Sequence, residues 1–166
     1  MTETTFKLKP DGAFEFGSQD MIDTADALRK HAAAAFDTIW AKVVDRLVGT
    51  GAAAEEVRST GALVVDDCTV VLRLDPLTSL IEFFVDIGKP NPHALEAVLR
   101  TGMEMNLCRT HQGVVFGVHP ESGRLVATTA LPALAIADEE ACLTVLRSLT
   151  RLVGDLRAAR TFDLEP

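Results

Sequence analysis

The polar and apolar positions of this chain change period several times, and each change marks an element. Between Thr5 and Gly17, Phe6 and Leu8 stand on one side of Pro10-Asp11-Gly12, and Phe14 and Phe16 on the other. Alternation about such a turn predicts a small hairpin or arm. From Asp23 the spacing becomes three and four residues, through Leu28, Ala32, Ala35, Phe36, Ile39, Trp40, Val43, Val44 and Leu47. That is the stripe of an amphipathic helix. Asp20 or Asp23 is placed to cap its start, and Gly49 or Gly51 its end. The small, charged run Ala52 to Ser59 reads as a loop or a helical extension.

Period two then takes over. Strands are expected at Ala62 to Val65, Cys68 to Leu74 and Ser79 to Ile87, separated by Asp66-Asp67 and Asp75-Pro76. Such short turns make the neighbours antiparallel. Val70, Leu72 and Leu74, with Ile81, Phe83, Val85 and Ile87, share the core face. The opposite face carries Thr69, Val71, Arg73, Glu82, Phe84 and Asp86, a charged surface with an apolar patch at Val71 and Phe84.

Asn91-Pro92 follows, a favoured cap residue before a ring whose fixed φ suits the first helical position. Leu95, Val98, Leu99, Gly102, Met103 and Asn106 then fall on one stripe. Glycine inside a helix costs about 1 kcal/mol relative to alanine, so Gly102 implies a close approach by another group, from this chain or a second one. Val114 to His119 and Arg124 to Ala130 flank Pro120-Glu121-Ser122-Gly123 and form the clearest hairpin. Asp138, Glu139 and Glu140 open a last helix with acids at its positive end. Its apolar face is Cys142, Val145, Leu146, Leu149, Leu152, Val153 and Leu156, with Arg147, Arg151 and Arg157 outside, and a frayed tail is expected from Thr161.

The expected fold is therefore α+β: an antiparallel twisted sheet with helices, in the order α-β-β-β-α-β-β-α, preceded by a short N-terminal arm or hairpin. One domain is expected over residues 1–166, divided into an arm (1–20), an α+β body (21–160) and a tail (161–166).

Composition adds exclusions. With 48% hydrophobic and 24% charged residues the chain reads as globular, and no apolar run approaches the roughly 20 residues of a membrane span. Met1 to Lys9 lacks the pattern of a secretory signal, so a cytoplasmic protein with no membrane insertion is expected. Three widely spaced cysteines, Cys68, Cys108 and Cys142, fit core thiols better than a disulfide framework. A net charge of −8 disfavours nucleic acid, whose affinity rests on neutralising phosphates, and leaves a basic polypeptide partner allowed.

Catalytic patterns are missing: there is no nucleophile-elbow serine, phosphate-cradling glycine loop, dinucleotide fingerprint or paired-histidine metal helix. Cys108 with His111 and His119 is the nearest candidate for a thiolate and base or a ligand set, but the spacing matches no strong zinc pattern. His31 and His93 are expected at the surface, and Asp66-Asp67 and Glu139-Glu140 serve turns and helix starts. No enzyme activity, cofactor or metal is expected. The arm phenylalanines, Trp40 and Phe84 exceed what one inner core requires. Either arm and helix cover the outer face, or another chain binds there by strand addition or through apolar pockets.

This order of elements resembles the small acidic chaperones of bacterial type III secretion, the class I effector-chaperone or Tir-chaperone-like family. The resemblance runs through Leu80-Ile-Glu-Phe-Phe-Val-Asp-Ile-Gly88, Pro90, Leu99, Asn106, Gly113-Val-Val-Phe-Gly-Val-His119, Gly123-Arg-Leu-Val126 and Leu131-Pro132. It covers about Thr60 to Arg157, with the first helix ahead of it; the arm is long for the family, and that helix is extended and Ala-rich. The resemblance implies a cytosolic homodimer that binds the N-terminal region of a secreted effector, keeps it extended without ATP, and serves virulence. It makes Leu95, Val98, Leu99, Gly102, Met103 and Asn106 candidate dimer contacts. It makes Val71, Phe84, Ile39, Trp40 and Val43 candidate partner-binding residues, the last three being core residues in the alternative. A housekeeping binding protein of the same fold and a small Cys/His enzyme are the other readings.

Overall fold

The computed structural model describes residues 7–8, 14–15 and 18–165, with side chains from residue 23 onward. Two short strands, β1 (Lys7–Leu8) and β2 (Phe14–Glu15), pair antiparallel and match the expected arm; the Pro10-Asp11-Gly12 turn, Phe6 and Phe16 lie outside the described residues. Helix α1 (Ser18–Leu47) begins five residues before the predicted start, so neither Asp20 nor Asp23 is its cap. It ends at Gly49, whose φ of 88° is the left-handed stop a glycine permits.

The 52–60 run is a separate helix, α2 (Ala52–Thr60), whose stop is demanding. Gly61 has φ 71°, and a Cβ there would sit 2.4 Å from the Leu72 carbonyl oxygen, so only glycine makes this turn into the sheet.

Strands β3 (Ala62–Val65), β4 (Cys68–Asp75), β5 (Leu80–Gly88), β6 (Val115–Val118) and β7 (Leu125–Pro132) form one antiparallel sheet in the order β3-β4-β5-β7-β6. Asp66 and Asp67 join β3 to β4 with φ of 49° and 60°, the mirror-image turn that a two-residue hairpin needs and that aspartate tolerates. At the next turn the Asp75 carboxylate accepts from the Leu77 N–H and the Thr78 hydroxyl. Asn91 accepts from the His93 N–H at 3.2 Å and caps a single helical turn, Pro92–Ala94, that leads into α3 (Leu95–Leu107). Helix α4 (Glu139–Ala158) starts at Asp138, which accepts from the Ala141 N–H.

The fold is thus α+β, with the expected order of elements around an open antiparallel sheet and α2 added. Among the described helices, α4 packs on β3, β4 and β5, α1 lies against α4, α2 and the turn at Ala133–Ala135, and α3 rests on β6. The predicted inner face is core: Val70, Leu72, Ile81, Phe83, Val85 and Ile87 are at most 2% exposed. No described helix is long and apolar enough to cross a membrane.

Four expectations change. Leu28 and Leu47 of the α1 stripe are exposed, because burial in α1 is concentrated between Ala32 and Val44. On α4, Leu143 and Thr150 are buried while Val145 and Leu152 are only half-buried; a helix held between a sheet and α1 hides a wider arc than one stripe. Arg157 turns inward, donating to the carbonyls of Ile87 (2.7 Å), Asp86 (2.9 Å) and Asp67 (3.3 Å). The tail also packs: Phe162 is buried against Phe116, the Asn91 N–H donates to Asp163 O, and the Glu165 N–H donates to Lys89 O.

Candidate functional site

Helix α4 covers the inner face of the sheet, and the alternate residues of β4, β5 and β7 form the outer one. Val71 is directly paired with Phe84, which is paired in turn with Thr128, and Val126 stands beside Thr128 on the same face. These side chains are half-buried and make an apolar floor. A groove of about 630 Å³ lies over Thr69, Val71, Phe84 and Val126, bounded by Arg73 and by the β6–β7 hairpin at His119, Pro120 and Ser122.

Two ion pairs border the floor. Arg73 donates from Nε to Glu82, its cross-strand partner, and its guanidinium carbon stands 5.1 Å from the centre of the Phe84 ring. That spacing lies within cation–π range. On the other side Arg124 holds Asp86 through two hydrogen bonds of 2.8 and 2.6 Å. Asp86 is opposite Val126, so Arg124 reaches it diagonally on the same face. The sequence pointed to Val71 and Phe84 on this face but not to Val126 and Thr128, and it missed the Asp86–Arg124 border, whose signal was opposite charge at diagonal positions. At the hairpin tip, the His119 Nδ1 lies 3.2 Å from the Ser122 hydroxyl.

The α3 stripe divides in two. Val98 is 2% exposed in the core, Gly102 is buried with its Cβ position 3.6 Å from the Phe116 Cβ, and Asn106 bonds to the Phe116 backbone, so these three serve the chain's own packing. Leu95, Leu99 and Met103 are 41, 41 and 63% exposed. Leu107, four residues beyond Met103, is 79% exposed and continues that apolar edge; the spacing was visible in the sequence, but the residue was not singled out. Ile39, Trp40 and Val43, for which a core place was the alternative, are 7, 5 and 0% exposed, and the Trp40 ring stacks with Phe36.

The Cys108, His111 and His119 candidates serve separate surroundings. Cys108 is exposed at the end of α3, His111 meets the Phe116 ring edge-on, and His119 belongs to the hairpin tip. Among the described residues no group of three His, Cys, Asp or Glu side chains is placed to hold a metal ion. Burial raises the Cys68 thiol against the opposing pull of Arg157, and burial pushes the Cys142 thiol up to about 11, away from nucleophilic use.

No protein-family model matches this sequence, and no curated protein sequence matches it. Among solved structures the chain is similar to one in the structure of the HopA1-SchA chaperone-effector complex, at 14% identity and a TM-score of 0.46, covering 60% of this chain and 77% of that one.

Proposed function

We propose that this protein is an ATP-independent secretion chaperone that binds the N-terminal region of a type III effector as a homodimer in the cytoplasm, and that it carries out no chemical step. The observation that carries the reading is the outer face of the sheet. An apolar floor at Val71, Phe84 and Val126 is bordered by ion pairs and bounded at one end by a hairpin. Such a trench suits an extended segment of another chain, whose apolar side chains would exclude water from the floor. The exposed edge Leu95, Leu99, Met103 and Leu107 supports self-association through α3. The family resemblance in the sequence supplies the class of partner.

The test is co-expression with the N-terminal segment of the product encoded beside this gene, followed by light scattering and affinity measurement. The expected result is a protein of twice the 17.9 kDa chain mass that binds the segment saturably. Phe84→Asp should weaken that binding with little effect on folding, because Phe84 belongs to the outer face. A monomer at micromolar concentration that binds no such segment would overturn the proposal.

A further inference from the structure

On the other side of Arg124 lies a second pocket, of opposite character to the acidic chain around it. Among the described residues, this pocket of about 370 Å³ is lined by three cations, Lys89, Arg124 and Arg157, and by one carboxylate side chain, Glu165. Arg124 borders both compartments, so the apolar floor and the cationic pocket adjoin. The cations are unequally compensated. Lys89 pairs with Glu165 at 3.0 Å, and Arg124 pairs with Asp86. Among the described residues, the hydrogen bonds of Arg157 go to three backbone carbonyls and the Cys68 sulfur, none to a carboxylate. Among the described residues, three positive side chains therefore line this pocket with Glu165 and stand beside Asp86, on a chain whose net charge is −8.

The local sign governs what enters. Exposed charges more than about 8 Å away are largely screened at physiological salt, so the acidic remainder of the surface weighs less at this pocket than its three cations. A guanidinium whose donors meet only neutral groups gains most from a carboxylate, and a lysine brought here would meet like charge. Building on the groove reading above, we infer that the partner is an extended polypeptide that lays an apolar side chain over Val71 and Phe84 and sets an acidic side chain into the pocket at Lys89, Arg124 and Arg157. The acidic net charge of the whole protein would instead point to a basic partner.

The test is selection of a random twelve-residue peptide library on the immobilised full-length protein, with Phe84→Asp protein selected in parallel. Peptides enriched through Phe84 should carry Asp or Glu beside their apolar anchor. Synthetic versions with Lys in place of the acid should bind at least fivefold more weakly. Lys89→Glu should weaken the acidic peptide about fivefold, within the range for a rim charge reversed, whereas Arg29→Glu, an equal charge change on α1, should not. Glu165→Gln, which removes the competing carboxylate, should tighten binding and guards against the case in which Lys89→Glu merely loosens the tail. Enriched peptides that depend on Phe84 but show no acidic preference would overturn this inference and leave the groove reading standing. No enrichment over the Phe84→Asp protein would overturn both.

Discussion

The side-chain amide of Asn106 pairs with both backbone groups of Phe116: Nδ2 donates to the Phe116 carbonyl and Oδ1 accepts from its N–H, each at 2.8 Å. Phe116 lies on β6, the outermost strand on that side of the sheet, so the amide stands where another strand would bond. Edge strands with free backbone groups invite pairing with other chains, and proteins blunt them in such ways. Asn106→Ala removes two partly buried hydrogen bonds and should lower unfolding free energy by about 2 kcal/mol. Urea denaturation reads this loss, and light scattering should show more aggregation than for an exposed control such as Glu104→Ala. A stability change within 0.5 kcal/mol, about the limit for a neutral surface change, would show that the edge is not held this way.

In the proposed dimer, self-association and internal packing use different sides of α3 and separate by mutation. Leu99 is 41% exposed, so Leu99→Asp should leave the melting temperature of the folded chain nearly unchanged and halve the mass seen in solution. Gly102 predicts the opposite pattern. A Cβ there meets Phe116 at 3.6 Å, an ordinary contact, so Gly102→Ala should gain up to about 1 kcal/mol from helix propensity and leave the oligomer intact. Loss of the dimer in Gly102→Ala would mean that a second chain approaches that backbone.

What the sequence disclosed was local. The alternation of Val70 and Leu72 with Val71 and Arg73, and of Phe83 with Phe84, gives both faces of the sheet because side chains of successive strand residues point opposite ways. Asn91-Pro92 and Asp138 were legible because a cap and its helix are neighbours in the chain. Arg157, Asn106 and Phe162 were not, because each finds its partner through the fold: the Arg157 contacts reach 70 to 90 positions back along the chain. The α3 stripe was legible as apolar but not as divided. An apolar arc has one pattern whether the same chain or a second copy covers it, and only the position of α3 at the sheet edge buries Val98 and Gly102 within the chain while leaving Leu99 and Met103 outside. The sequence left Trp40 open for the same reason.

Arg157 ties the end of α4 to the end of β5 and to the β3–β4 turn, and its side chain is partly buried. Arg157→Leu keeps much of the apolar stem but leaves the Ile87 and Asp86 carbonyls without these donors. Charge-assisted hydrogen bonds contribute about 1.5 to 3 kcal/mol, so a loss of about 3 kcal/mol in urea denaturation is expected. Arg157→Lys should recover little of it, since a single ammonium cannot reproduce the spread of a guanidinium. Full stability in the lysine variant would show that charge alone, and not the fork of donors, holds the two elements together.

The three thiols should separate by reactivity, and the buried ones, Cys142 most, should make stability depend on alkaline pH. Cys108 is exposed, whereas Cys68 and Cys142 are buried with raised thiol pKa values, so at pH 8 a thiol reagent should modify one cysteine per native chain and three after denaturation. For Cys142 the fold favours the protonated thiol, moving its pKa from an ordinary 9.0 to about 11. A group raised in the fold stabilises fully below its unfolded value and ceases to do so as pH rises through its folded value. The Cys142 contribution is therefore intact up to about pH 9 and is lost between there and about pH 11. Comparison of urea midpoints at pH 8 and pH 10.5 should show a larger fall for the native sequence than for Cys142→Ala, which has no thiol to titrate. Equal falls in the two proteins would remove Cys142 as a source of the alkaline instability.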